Sequence, residues 1–259
     1  MANIHGGLLL AAFVLTAFPS TKLRAAAVIV PGEAVLVEGD GNNTFPFNTI
    51  SNTSSTRYQQ VFGASSFPVV PGGLLITQMS FRPDGFYGAA FSQTLPQLEL
   101  RLSTTSRAVD NLLSAFAGNV GPDERIVFSG ALTLSSADAG PPNGPKVFDI
   151  NIPFQVPFLY DPTRGSLLIE VRNFALVTTV TMDASTGNED ALSRVFTGEQ
   201  GDVKSPTGQL DSIGLIAQLV WVPIPEPACL LQIAALGTAA LWRRRRRNND
   251  GTSVAAVHH

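Results

Sequence analysis

The middle of this chain repeats one short rule, apolar then polar then apolar, interrupted by turn residues, and that rule leaves room for little except strands. Leu98-Glu99-Leu100-Arg101-Leu102 puts three leucines on one face of an extended segment and a Glu/Arg pair on the other, because successive side chains of a strand point to opposite faces. Leu167-Leu168-Ile169-Glu170-Val171-Arg172 repeats the arrangement, and Phe148-Asp149-Ile150-Asn151-Ile152 supplies another half-buried face. The two Glu/Arg pairs would form crossed ion pairs if their strands were antiparallel neighbours. Further strand candidates are 34–38, 57–62, 74–82, 126–128, 131–135, 156–160, 176–182 and 213–221. Turn formers separate them: Pro83-Asp84-Gly85, Pro141-Pro142-Asn143-Gly144, Asp161-Pro162 and Ser205-Pro206-Thr207-Gly208. About ten strands with almost no helical spacing predict an all-β fold, an antiparallel β-sandwich of jelly-roll type. Residues 107–116 depart from the rule. Val109, Leu112, Leu113 and Phe116 share a face at helical spacing, which predicts a short helix lying across a sandwich edge.

The residue types missing from this body exclude most catalytic chemistries. The three histidines are His5, His258 and His259, and the single cysteine is Cys229, so 28–225 holds neither type. A Ser-His-Asp triad, a cysteine nucleophile, a His/Cys zinc site, a haem-ligating histidine and a disulfide are all excluded there. Carboxylates remain, but a retaining glycosidase needs two of them about 5 Å apart, and Asp149, Asp183, Glu189 and Asp190 are too numerous for sequence to select a pair. The expectation is a protein that is not an enzyme and carries no cofactor or metal. Asp40-Gly41-Asn42-Asn43-Thr44 starts like a calcium loop, yet the position that needs a bidentate Glu holds Ser51, so it is no EF-hand and reads as a polar turn. Asn42 and Asn52 are formal glycosylation acceptors. The candidate ligand contact is Asp84-Gly85-Phe86-Tyr87-Gly88, where two aromatics sit between glycines in a loop. Asp84, Phe86 and Tyr87 would stack on and hydrogen-bond a sugar ring.

The chain ends read as addresses. Gly6 to Phe18 is apolar and Ala25-Ala26-Ala27 follows with signal-peptidase spacing, which predicts a signal peptide over 1–27. The stretch is too short to span a bilayer as a helix. At the other end come Pro225-Glu226-Pro227, then an almost wholly apolar run from Ala228 to Trp242, then Arg243, Arg244, Arg245, Arg246 and Arg247. The prolines hold the backbone extended, the apolar run suits a membrane helix, and the arginine block stays cytoplasmic.

This tail resembles the PEP-CTERM sorting signal of exported proteins from Gram-negative bacteria that make exopolysaccharide. The resemblance implies that an integral-membrane exosortase recognises Pro225, Glu226 and Pro227 and processes the chain, after signal peptidase has removed the leader. Gln232 inside the apolar run and the residues 248–259 after the arginines depart from the family pattern. The body is similar to uncharacterised exported proteins through Tyr58-Gln59-Gln60-Val61, Phe81-Arg82-Pro83, Leu102-Ser103-Thr104-Thr105, Phe128-Ser129-Gly130, Asp161-Pro162 and Leu215-Ile216-Ala217-Gln218. That similarity brings no activity with it. The organisation expected is a signal peptide over 1–27, a β-sandwich over 28–220, a sorting signal over 221–247 and a cytoplasmic tail over 248–259.

Without its ends the body keeps 10 of 17 basic residues and 18 of 20 acidic ones, a net charge of −8. Such a body does not bind nucleic acid by electrostatics. The function expected is that of an exported surface or matrix protein, anchored first in the inner membrane and then released to the envelope, surface or medium. The alternative is a module that binds exopolysaccharide.

Overall fold

The computed structural model describes residues 24–48, 55–175, 177–187, 190–198 and 201–224. The leader's apolar run, Asn52, Glu189, Pro225, Glu226, Pro227, Cys229 and the arginine block lie outside them. Every strand-to-strand ladder among the described residues is antiparallel. A four-stranded sheet has the order β1 (Ala26–Val30), β13 (Ala217–Pro223), β4 (Leu74–Phe81), β7 (Ile150–Tyr160). A six-stranded sheet has the order β11 (Gln209–Asp211), β10 (Leu192–Phe196), β3 (Thr56–Phe62), β8 (Ser166–Asn173), β5 (Phe91–Thr105), β6 (Arg125–Ser136). A small third sheet joins β12 (Gly214–Leu215), β9 (Met182–Ser185) and β2 (Gly41–Asn43).

The alternation places the core. Leu98, Leu100 and Leu102 are fully buried and meet Leu74, Ile76, Met79 and Phe81 of the other large sheet in one apolar cluster. Burying a side chain of this size is worth about 1.5–3 kcal/mol, and the cluster joins the two large sheets into one sandwich-like unit. On the outer face of the six-stranded sheet Arg101 lies opposite Glu170 and Glu99 opposite Arg172, the neighbourhood that the paired charges called for. The shortest contacts nevertheless run along each strand, Arg101 Nε to Glu99 Oε1 at 2.7 Å and Arg172 Nε to Glu170 Oε1 at 2.5 Å, with Arg172 to Glu99 at 4.0 Å. Glu170 also takes Arg57 at 2.9 Å and is only 2% exposed. Burial raises its carboxyl, but Arg57 and Arg172 outweigh that and hold it below its ordinary value.

Glu170 is buried because 107–121 folds over this face, and it does so without an α-helix, with only a short 3-10 turn at Phe116–Gly118. Leu112 and Phe116 pack on Val61, Leu168 and Val195 with Val109 partly buried beside them, while Leu113 is exposed, so the apolar spacing marks part of the buried face correctly and the helix wrongly. Asp110 adopts φ +60°, which a right-handed helix forbids, and the Asn119 side chain captures both the N–H and the C=O of Leu113.

Two strand assignments also change. Residues 34–38 are not a strand: Gly32–Val35 is a 3-10 turn held by Ala34 N to Pro31 O and Leu36 N to Glu33 O, since Pro31 offers no N–H to extend β1. Of the candidate 176–182, Leu176 lies outside the described residues and only Met182 enters a strand, β9, while Val177 makes an isolated bridge with Asn48. Candidates 126–128 and 131–135 merge into β6, and Ile150 to Ile152 of the candidate 148–152 join 156–160 in β7, where edge position tolerates Pro153 and Pro157, while Phe148 and Asp149 stay outside the strand.

Register gives the four-stranded sheet two distinct ends. Ala26 lies opposite Trp221, Pro223 opposite Leu74, and Leu74 opposite Tyr160. Both described chain ends therefore leave from one end of this sheet. At the other end Val30 lies opposite Ala217, and Phe81 opposite Ile150. There the connections 31–40 and 82–90 begin and 137–149 ends.

Candidate functional site

Those three connections are tied together at the loop end by charge. Arg82, the residue after β4, donates from Nε to Asp183 Oδ2 at 2.7 Å and from Nη2 to Val37 O at 2.8 Å. Asp183 in β9 also accepts the Gly39 N–H at 3.0 Å. Glu38 Oε1 accepts the Gly85 N–H at 2.6 Å. The Arg82 guanidinium lies 4.8 Å from the ring centre of Phe148, which brings in the third connection through a cation–π contact.

Glu38, Asp84 and Asp183 each place a carboxylate oxygen so that the three atoms lie within 4.8 Å of one another. Burial pushes Asp183 up to about 7, Arg82 pulling against it and the Glu38 charge adding to it. Glu38 is raised as well, burial outweighing its bond from Gly85 and the attraction of Arg82. Carboxylates this close, one titrating near neutrality, come near the spacing of a retaining glycosidase pair but lie inside its about 5–5.5 Å. Access decides against that use: the Asp183 side chain is 0% exposed and Asp84 is 4% exposed, so no sugar ring reaches them. Their oxygens have the chemistry to hold a hard cation, and Arg82 already supplies positive charge among them. What the geometry does directly is lock the three connections to one another.

Above this lock stands the aromatic turn. Asp84 Oδ1 accepts the N–H of Phe86 at 2.9 Å and of Tyr87 at 2.6 Å, and Gly88 N donates to Asp84 O at 2.8 Å. Asp84 thus lies beneath the rings and fixes their backbone instead of standing beside them in solvent. Phe86 is 64% exposed and Tyr87 71%. Val35, Leu36 and Val37 are exposed too, on the connection that Arg82 and Gly85 hold in place.

Of the residues expected in a site, Asp84, Phe86 and Tyr87 are brought together as one turn. The Asp40 segment is used structurally: Asp40 Oδ1 accepts the Thr186 N–H at 2.7 Å, and the Asn43 side chain bonds Phe45 N and O. Glu38, Arg82 and Asp183 escape sequence reasoning as a group, because they come from three separate connections and strands and no local pattern links them. The chain matches no family model, and no curated protein is similar to it.

Proposed function

We propose that this chain is a non-enzymatic exported protein of the cell surface or extracellular matrix, built as a jelly-roll-like β-sandwich and sorted by its C-terminal signal. The observation that carries the reading is the pairing of Val28 with Leu219, the first ladder pair beyond the leader: first and last strands are neighbours, so leader and tail attach at one end and the opposite loops are left to face outward. This arrangement suits a domain held at the inner membrane by an apolar tail, with signal peptidase acting before it and an exosortase at Pro225, Glu226 and Pro227 after it. Mass spectrometry of the exported pool from source cells tests the proposal. The expected mature chain lacks Arg243 to Arg247; an exported chain that retains them overturns the sorting.

The second reading, an exopolysaccharide-binding module, is favoured by one observation. A purely structural loop gains nothing from leaving two adjacent rings in water, whereas Phe86 and Tyr87 are both more than half exposed on a turn pinned from beneath, the preorganised apolar surface on which sugar rings stack. A glycan array with and without calcium tests it. Binding that Tyr87→Ala abolishes while folding persists supports it, and no binding to any polysaccharide, the host's own included, overturns it.

A further inference from the structure

A groove of about 1020 Å³ opens at the terminal end of the four-stranded sheet, remote from the aromatic turn. One wall is apolar, with Val69 70% and Leu159 49% exposed. The groove's charges are unequally used. Glu124 holds Arg101 at 2.9 Å, Asp123 accepts the Thr104 N–H at 2.7 Å, and Asp161 accepts both Thr163 N and Thr163 Oγ1. Arg125 and Arg164 also line the groove and make no salt bridge among the described residues. The Thr163 bonds and the neighbouring Arg164 charge hold Asp161 below its ordinary value, so Arg164 already answers one acid, while Arg125 answers none of the groove's acids in a salt bridge among the described residues.

The described chain ends at this groove. Past Pro223, Ile224 lies against Gly72 on the rim, close enough that a Cβ on Gly72 would stand 3.5 Å from the Ile224 Cβ. Pro225-Glu226-Pro227 comes next. Ile224 and Glu226 each precede a proline and so favour extended backbone, and two extended residues reach about 7 Å. A stiff proline segment with one carboxylate therefore starts at the mouth of a groove that offers an apolar wall and two arginines that form no salt bridge among the described residues.

We infer that this groove docks Pro225-Glu226-Pro227 of the same chain, the prolines against Val69 and Leu159 and Glu226 toward Arg125 and Arg164. Proline-rich extended segments bind apolar grooves at low entropic cost because they are already stiff. Docking places the segment on the folded domain, so that any enzyme acting on it must first draw it out.

The test uses the full-length chain with Arg164→Lys, and separately Arg125→Lys, treated with a carbodiimide that condenses a carboxylate with a lysine amine. Peptide mass spectrometry then locates the amide bonds. The expected product joins Glu226 to the amine introduced by either substitution, with a yield at least about tenfold above the bond from Glu226 to the exposed native Lys204 outside the groove, as the effective concentration of a docked pair requires. High salt should lower that yield. Bonds from Glu226 to neither introduced amine, or yields equal to that at Lys204, overturn the inference. The products are read on unprocessed chains, so this outcome is independent of whether an exosortase cuts the tail.

Discussion

Arg82 and Asp183 form a salt bridge of 2.7 Å in which the side chains are 2% and 0% exposed. Breaking such a pair from one side leaves a charge stranded in the interior, which costs about 3–5 kcal/mol, whereas replacing both partners with apolar groups removes the stranded charge. Asp183→Leu, which strands the permanently charged Arg82 guanidinium, is therefore expected to cost about 3–5 kcal/mol in urea denaturation. The double variant Arg82→Met/Asp183→Leu should be less destabilised than Asp183→Leu. A smaller loss for the single variant than for the double would show that the bridge does not hold the loop end.

The same pair sets a pH dependence. Asp183 titrates near 7 in the folded protein and at 3.8 as its ordinary value, so between these pH values the folded state keeps a proton that the unfolded state has lost. Its contribution to stability is full below about 3.8 and gone above about 7, and the raised Glu38 acts in the same direction. Glu170, Asp40 and Asp211 are lowered, so their contribution is present at neutral pH and lost as pH falls below about 4. The urea midpoint should rise from pH 8 to pH 5 and then drop below about pH 4. Asp183→Asn should flatten the rise and leave the acid drop; a midpoint that climbs steadily from about pH 5 to pH 8 would refute this account.

What could be read from the sequence was what neighbouring residues determine. The Leu98–Leu102 alternation is a local property and located the core face of β5 directly. The apolar spacing of Val109, Leu112, Leu113 and Phe116 reported burial for Leu112 and Phe116 but not for Leu113, which is exposed, and could not report conformation, since Asp110 at φ +60° and the Asn119 side chain override helical spacing. The partners of Arg57 and Arg82 lie 113 and 101 residues away, and only the fold brings them together. Glycines around Phe86-Tyr87 marked a loop from composition alone. That Asp84 would turn its carboxylate under the rings depended on backbone geometry the composition does not carry.

Asn119 is 0% exposed and makes three bonds, accepting from Leu113 N at 2.8 Å and donating to Leu113 O at 2.8 Å and to Gln59 Oε1 at 3.0 Å. Asn119→Ala strands those buried groups, and at about 1–3 kcal/mol for each unsatisfied group the expected loss is no less than about 2 kcal/mol. Asn119→Asp should do no better than alanine, because a carboxylate keeps the bond from Leu113 N, loses both donors and adds a buried charge. Thermal denaturation of the two variants checks this; full stability in Asn119→Asp would mean that the donors do not matter.

Tyr87 and Gly88 are adjacent but should separate binding from folding. Tyr87 is 71% exposed, so Tyr87→Ala should change stability by no more than about 0.5 kcal/mol. Gly88 has no such freedom: a Cβ there would stand 2.3 Å from Asp84 O and 2.6 Å from the Pro83 Cβ, so the turn must open and the 2.8 Å bond from Gly88 N to Asp84 O is lost. Gly88→Ala should cost about 1–3 kcal/mol through that displacement. If the exposed rings hold polysaccharide, Tyr87→Ala should lose binding at unchanged melting temperature, and Gly88→Ala should lose both together. Retained polysaccharide binding in Tyr87→Ala would move the contact away from this turn, while an unchanged melting temperature in Gly88→Ala would mean that the Asp84 lock does not define the turn's conformation.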